Sequence, residues 1–475
     1  GISMSFKLAV IGAGSVGFTR TLFSDLMAVP EFGNIEVSFT DINPRNLDMV
    51  TSLCQRDLDA NGVKIKIHKT TNRREALQGA KYIINCVRVG MLEGFEKDVE
   101  IPLKYGIDQC VGDTLCAGGI MYGQRGIPVI LDFCKDIREV AAPGAILLNY
   151  SNPNAMMTWA ANKYGGVFTI GLCHGVQGGH YQIAKALGLK REEVDIICAG
   201  INHQTWYISV KHKGKDLTPQ ILEAFEKDED YSKTEKVRID VLRNFGYYST
   251  ESNGHLSEYV AWYRKRPDEL EKWIDLSSWS NGETGGYLRA CRESRNWFEY
   301  DYPNMMSAPP KVYGEKRSSE HGSYIIEGLE TGRVYRGHFN VVNKGTISNL
   351  PYECVVEVPG YVDANGVNIP AVGELPLGCA AVCSQSIWVQ RLAVEAAVAG
   401  DINLLRQAML MDPLTAAVCT TSEIRQLVDE MLVEEAEWLP QYANEIPAAK
   451  ARLTQQKAMP KREGAVRQHT KTIEE

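Results

Sequence analysis

Short apolar runs alternate with stretches of helical period through the first 200 positions. "FKLAVIGAG" (6–14) reads as a buried strand entering a glycine turn, and "VGFTRTLFSDLMA" (16–28) follows with the i, i+3, i+4 spacing of an amphipathic helix. "IEVSFTDI" (35–42) is a second strand. The next segment opens on Asn43-Pro44, a helix-start pair, and closes at Gly62. "VKIKIHKT" (63–70), "AKYIINCVRVG" (80–90), "GAILLNYSNP" (144–153) and "VFTIGLCHG" (167–175) continue the strand series. Strands that are apolar throughout, separated by helices, predict an α/β fold: a doubly wound parallel sheet of the Rossmann type with helices on both faces. Beyond about 200 the rhythm changes. Residues 194–217 read as antiparallel strand material, 218–320 as helical and charged, 323–375 as extended, and 385–438 as helical again. The pattern therefore predicts a Rossmann domain over 4–200, an α+β lobe over 201–450 and a polar tail or packing arm over 451–475.

Composition narrows the function. The 475 residues are 44% hydrophobic and 23% charged, as in a globular protein too long for one ordinary core. A net charge of −8 with no basic stripe argues against nucleic acid, and no apolar run reaches the length of a membrane span. Residues 1–3, ahead of Met4, are set aside from the fold. No basic segment followed by a long apolar stretch marks a leader, and the twelve scattered cysteines fit no disulfide framework. Reduced thiols in the cytoplasm are the expectation.

"GAGSVG" places Gly12, Gly14 and Gly17 in G-x-G-x-x-G register between a strand and a helix. Gly12 permits the tight turn, Gly14 close backbone approach to a pyrophosphate, and Gly17 helix–strand packing. The helix start at Ser15 and Val16 faces the anion. Asp41 closes the second strand, where a carboxylate accepts from a ribose 2′-hydroxyl and repels a 2′-phosphate, favouring NAD over NADP. Later strand ends should line the cofactor: Val87 and Arg88 in "NCVRVG", and Asn149 in "NYSNP".

Cys173 falls at the end of a strand on that same edge, and His203 in "GINHQTWY" begins the first strand of the second lobe. Thiolate and imidazole make a plausible metal pair, zinc on ligand softness alone. Cys173 is equally well read as a small core hydrophobe, and His203 as a packing residue.

The set "GAGSVGF", "VGDTLCAGGIMYGQRGIP" (111–128), "LLNYSNPNAM" (147–156), "GLCHGVQG" (171–178), "AGINHQTWY" (199–207) and "TESNGHLSEY" (250–259) resembles glycoside hydrolase family 4, and within it the α-galactosidase branch. The resemblance implies a lactate/malate dehydrogenase-like fold and a cytoplasmic homodimer or homotetramer. It implies a glycosidase that uses NAD and a divalent metal, Mn2+ in place of the zinc suggested by softness. Cys173 and His203 would be the metal ligands, and Asn152 a contact to sugar hydroxyls. The reaction implied is transient oxidation at C3, elimination across C1–C2, and return of the hydride. His174, where the phospho-sugar branch has Asp or Asn, is the candidate acid. Glu251, His255 and Tyr259 are candidate bases, because Asn253 stands where some relatives have Asp and an amide cannot accept the proton. Asp113 is a further candidate for substrate contact, and Arg88 for substrate or cofactor. Gly175 replaces the serine usual in the α-galactosidase branch, which deletes a hydroxyl and suggests room for a bulkier or charged C6 group. An α-glucuronidase or α-galacturonidase therefore stands as an alternative, as does a 2-hydroxy-acid dehydrogenase of the lactate/malate type.

Overall fold

The computed structural model of the chain describes residues 3–275, 278–314 and 316–456. Six parallel strands form its first half: β1 (Lys7–Ile11), β2 (Glu36–Thr40), β3 (His68–Thr70), β4 (Tyr82–Asn85), β5 (Ile146–Asn149) and β6 (Thr169–Gly171). Their order in the sheet is β3-β2-β1-β4-β5-β6, so the predicted doubly wound fold is the one formed. Its central strands β1, β4 and β5 are buried on both faces, which explains their continuous apolar runs: Leu8 through Val10, Ile83, Ile84, Leu147 and Leu148 are wholly buried, while the edge strand β3 is exposed. The helix at Pro44–Ala60 begins as expected, with the Asn43 side chain accepting from the Arg45 and Asn46 amides.

The sheet does not stop at the first lobe. β7 (Asp195–Ile201), β8 (Gln204–His212), β9 (Lys215–Asp216), β10 (Tyr335–Val342), β11 (Val355–Asp363) and β12 (Gly366–Asn368) extend it in the order β6-β10-β11-β7-β8-β9, with β12 on β11. All of these pairings are antiparallel. The residue 200 boundary thus falls inside β7, and both halves of the chain share one sheet.

Several expectations are corrected. Only residues 68–70 of the 63–70 run pair with a neighbour, because β2 offers β3 just Ser38–Thr40. The extended segment expected from 323 begins as the helix His321–Thr331. Residues 116–140, for which no element was expected, form a 25-residue helix. The C-terminal segment stays helical through Gln455, and residues 457–475 of the expected tail lie outside the described residues. No helix among the described residues is long and apolar enough to cross a membrane, and all twelve cysteines are free.

Candidate active site

The glycine turn follows β1 as its residues require. Gly12 has φ +86°, and a Cβ there would lie 3.1 Å from the Cys86 and Val87 backbone. A Cβ on Gly14 would lie 2.8 Å from Asp41 Oδ2, which accepts the Gly14 amide at 2.9 Å; Oδ1 accepts from the Asn43 amide. Asp41 therefore holds the turn against the end of β2. Ser15 makes no side-chain cap on the helix Val16–Leu26, which leaves amide donors of its first turn for an anion. The role expected of Gly17 is corrected: a Cβ there meets nothing within 4 Å, so close helix–strand packing does not require this glycine.

Asn149 is also corrected. It is wholly buried, its Oδ1 accepting from Asn85 Nδ2 and the Ser151 amide and its Nδ2 donating to the Ser151 carbonyl. It locks the ends of β4 and β5 together instead of lining a cleft. Val87 is held in the same network, its amide donating to Asn85 Oδ1 and its carbonyl accepting from Ser151 Oγ. Arg88 extends from this edge between the rings of Phe95, Tyr122 and Tyr287, its guanidinium 5.1–5.7 Å from their centroids.

β7 and β8 are joined by two residues, Asn202 and His203, so His203 sits at a hairpin tip and not at the start of a strand. The tip meets the end of β6. Ligand atoms of Cys173, His203 and Glu251 all lie within 4.8 Å of one another. Glu251 Oε1 is 3.6 Å from Cys173 Sγ and 3.6 Å from His203 Nε2. His203 Nδ1 has Thr114 Oγ1 and Tyr259 OH each at 3.0 Å, which orients the ring and turns Nε2 toward the thiol. Burial and the Glu251 carboxylate push the Cys173 thiol well up. Burial opposes ionisation of Glu251, but the His203 and His255 imidazoles pull its carboxyl below the ordinary range.

The helix Asn253–Tyr259 carries the remaining candidates. Asn253 is a structural peg, accepting from the Val237 amide and donating to the Trp273 and Asn281 carbonyls. His255 stacks edge-on to His203, centroids 5.3 Å apart, with Nδ1 on Ser252 Oγ; burial lowers its pKa. Tyr259 is buried and its phenol is pushed well up, so its hydroxyl positions His203 as a neutral group. Glu258 accepts the amides of Cys110, Val111 and Gly112, fixing the loop that presents Asp113 and Thr114. Asp113 is nearly buried, its Oδ1 accepting from Thr114 Oγ1. Asn152 is partly exposed at the end of β5.

Three residues not anticipated complete the site. Thr114, beside Asp113, holds the metal-candidate imidazole. Asn202 is wholly buried with its side-chain amide against the Cys173 thiol. Glu320 brings a buried carboxylate to 2.7 Å from Nε2 of the exposed His174. Burial, with Asp25 adding to it, pushes the Glu320 carboxyl up to about 7. The first two had a signal, adjacency in "VGDT" and "INH"; Glu320, far along the chain, had none. The raised Glu320 pKa makes a prediction. The unfolded chain loses this proton near pH 4.5 and the folded chain only near 7. Its stabilisation is therefore full below 4.5 and is lost as pH rises through 7. Glu320→Gln should flatten that decline by up to about 3 kcal/mol, read as the denaturant midpoint at pH 5 against pH 8.

Gly175 requires another correction. A Cβ there would lie 2.0 Å from Glu251 Oε1, so the space freed by the missing side chain holds the Glu251 carboxylate and not a larger sugar.

The Family 4 glycosyl hydrolase model matches residues 7–189, and the Family 4 glycosyl hydrolase C-terminal domain model matches 198–415. The chain belongs to glycosyl hydrolase family 4. An α-galactosidase of Rhizobium meliloti (strain 1021) is 57% identical to this family 4 enzyme over 474 residues, covering 99% of this chain and 97% of that protein. An α-galactosidase of Bacillus subtilis (strain 168) is 34% identical over 92% of this chain and 99% of its own. Among solved structures, the Thermotoga maritima 6-phospho-β-glucosidase with manganese, NAD+ and glucose-6-phosphate superposes with a TM-score of 0.74 at 25% identity, covering 91% of this chain and 99% of that one. The family match decides for a glycosidase over the dehydrogenase alternative.

Proposed function

We propose that this family 4 enzyme is an NAD- and divalent-metal-dependent α-galactosidase acting on unphosphorylated α-galactosides. The observation that carries the reading is the convergence of Cys173, His203 and Glu251 at the same carboxyl edge of the sheet as the Gly12–Gly17 turn. The 57% and 34% identical α-galactosidases support the sugar, and the Thermotoga neighbour supports NAD and manganese. The residues fit both groups. Gly12 and Gly14 form a cradle that a Cβ would fill, and thiol, imidazole and carboxylate donor atoms converge within 4.8 Å of one another. NAD would be held by the Gly12–Gly17 turn, Asp41 and the Val87–Arg88 edge; the metal by Cys173 and His203.

Bound, these groups supply a reversible hydride acceptor for sugar C3 and a Lewis acid for its oxygens, so that no net oxidation results. The chain's own side chains do the rest. Thr114 and Tyr259 fix the His203 ring. Asp113, on the loop ahead of the helix Cys116–Val140, and Asn152, just past β5, accept from and donate to sugar hydroxyls. His255, with Nδ1 engaged by Ser252 and the ring kept neutral by burial, takes the C2 proton at Nε2. His174, paired with Glu320, delivers a proton to the leaving oxygen. Because Glu251 fills the space beside Gly175, the argument from that glycine toward a uronide falls away.

The test is a panel of p-nitrophenyl α-galactoside, α-glucoside, α-glucuronide and α-galacturonide with NAD+, Mn2+ and thiol reductant each present or omitted. Galactoside hydrolysis that needs all three, without NADH accumulating, is the expected result. Hydrolysis unchanged by complete removal of NAD+, or preference for a uronide, overturns the reading.

A further inference from the structure

We propose that Glu251 is a third protein ligand of the divalent ion, alongside Cys173 and His203, and that glycine at position 175 is what admits it. The inference rests on the metal-dependent reading above and revises the part Glu251 plays in it, from candidate base to ligand.

Four observations converge. First, the spacing suits one coordination sphere. Bonds of about 2.0–2.3 Å from thiolate, imidazole and carboxylate to a divalent ion separate neighbouring ligand atoms by about 3 Å at right angles and about 3.5 Å at tetrahedral angles. Glu251 Oε1 stands 3.6 Å from both the sulfur and Nε2. Second, the carboxylate is nearly buried, and its nearest charge partner is the His203 imidazole at 3.6 Å, with no Lys or Arg paired to it among the described residues. A buried carboxylate facing a thiol and an imidazole is costly unless a cation compensates it. Third, both Glu251 and His203 are held in the left-handed region, at φ +71° and +65°. Neither is glycine, and such conformations persist where surrounding structure enforces a functional placement. Fourth, a Cβ at Gly175 would lie 2.0 Å from Oε1, so any other residue there would displace the carboxylate from its present position.

The ligand set also makes chemical sense of manganese. Thiolate with imidazole alone is a soft pair better matched to zinc, and a carboxylate oxygen adds the hard donor that Mn2+ prefers. Thiolate and carboxylate together neutralise a dication, leaving its remaining positions for sugar oxygens.

The experiment is Mn2+ titration of the NAD-loaded full chain, following the free-ion electron paramagnetic resonance signal. Wild type is compared with Glu251→Gln, Glu251→Asp and Gly175→Ala, and NAD affinity is measured for each by protein fluorescence. Expected are a dissociation constant for Mn2+ raised about 10–100-fold in Glu251→Gln, a smaller rise in Glu251→Asp, and at least about a tenfold rise in Gly175→Ala, which retains all three donors. NAD affinity should stay within about twofold, which reports an intact fold. If Glu251→Gln fails that control, Glu251→Asp and Gly175→Ala decide. Wild-type Mn2+ affinity in the folded variants, whatever their activity, overturns the ligand assignment alone. Failure of the wild-type protein to bind Mn2+ overturns the metal-dependent reading and the assignment with it.

Discussion

Cys173→Ser is expected to lower kcat/KM for an α-galactoside about 10^3-fold and to leave NAD affinity unchanged. On the proposed metal reading the sulfur is the anionic soft donor of the site, and a serine hydroxyl stays protonated at any working pH. The variant therefore removes both a bond and a charge from the cation. Metal polarisation of a carbonyl contributes several kcal/mol to a transition state, and about 4 kcal/mol corresponds to the loss stated. The fold should tolerate the change: the thiol's remaining contacts are with the Gly175 amide at 3.5 Å, Glu251 and the Asn202 amide, all of which a hydroxyl can keep, and the glycine turn is built from other strands. A second readout follows from charge. Burial and Glu251 push the Cys173 thiol well above its ordinary value, so metal loading must expel a proton. Wild-type Mn2+ affinity should then rise about tenfold per pH unit below that value, and this slope should be lost in the serine variant. A Cys173→Ser protein with wild-type turnover would mean that the thiol is not a ligand.

What the chain reveals in advance depends on whether the controlling interactions are local. β1, β2, β4 and β5 are legible because strands buried on both faces must be apolar throughout, and Asn43-Pro44 starts its helix through a cap spanning three residues. The helix Cys116–Val140 is not legible. Its Gly118, Gly119, Gly123 and Gly126 look like loop residues on propensity. Each is there because a Cβ would strike a neighbour: the Gly112 carbonyl at 2.7 Å, the Thr114 backbone at 2.4 Å, and the Met156 and Met157 sulfurs at 2.8 and 2.9 Å. Tertiary packing overrides propensity, and that packing is invisible before folding. The same division holds in the site. Cys173 and His203 stand out because their chemistry and their strand-end positions coincide. Glu320 reaches His174 only through the helix His321–Thr331 packing beneath the turn, and the meaning of Gly175 reverses once Glu251 is seen to occupy its space. The near-saturated amide of Asn149 shows the converse error: a polar residue at a strand end reads as cofactor-lining when Asn85 and the Ser151 backbone have already claimed it.

Asp41→Ala should weaken NAD binding by about 10–100-fold and narrow the preference for NAD over NADP. Two effects act together. The carboxylate accepts the Gly14 and Asn43 amides, 2.9 Å each, so its removal releases the turn that brings the backbone to the pyrophosphate. Bonds of this charge-assisted kind contribute roughly 1.5–3 kcal/mol each, and loss of one accounts for the fold-change. If NAD binds at this strand end as proposed, the same carboxylate would meet a ribose 2′-hydroxyl that donates and repel a 2′-phosphate, so NADP should suffer less than NAD from its loss. Gly14→Ala separates the two effects: its Cβ would lie 2.8 Å from Asp41 Oδ2, forcing the carboxylate aside without removing its charge. That variant should lose NAD affinity while still discriminating against NADP. Fluorescence titration with both nucleotides reads all three proteins. Unchanged NAD affinity in Asp41→Ala, or wild-type protein that binds NADP more tightly than NAD, would show that this strand end does not select the cofactor.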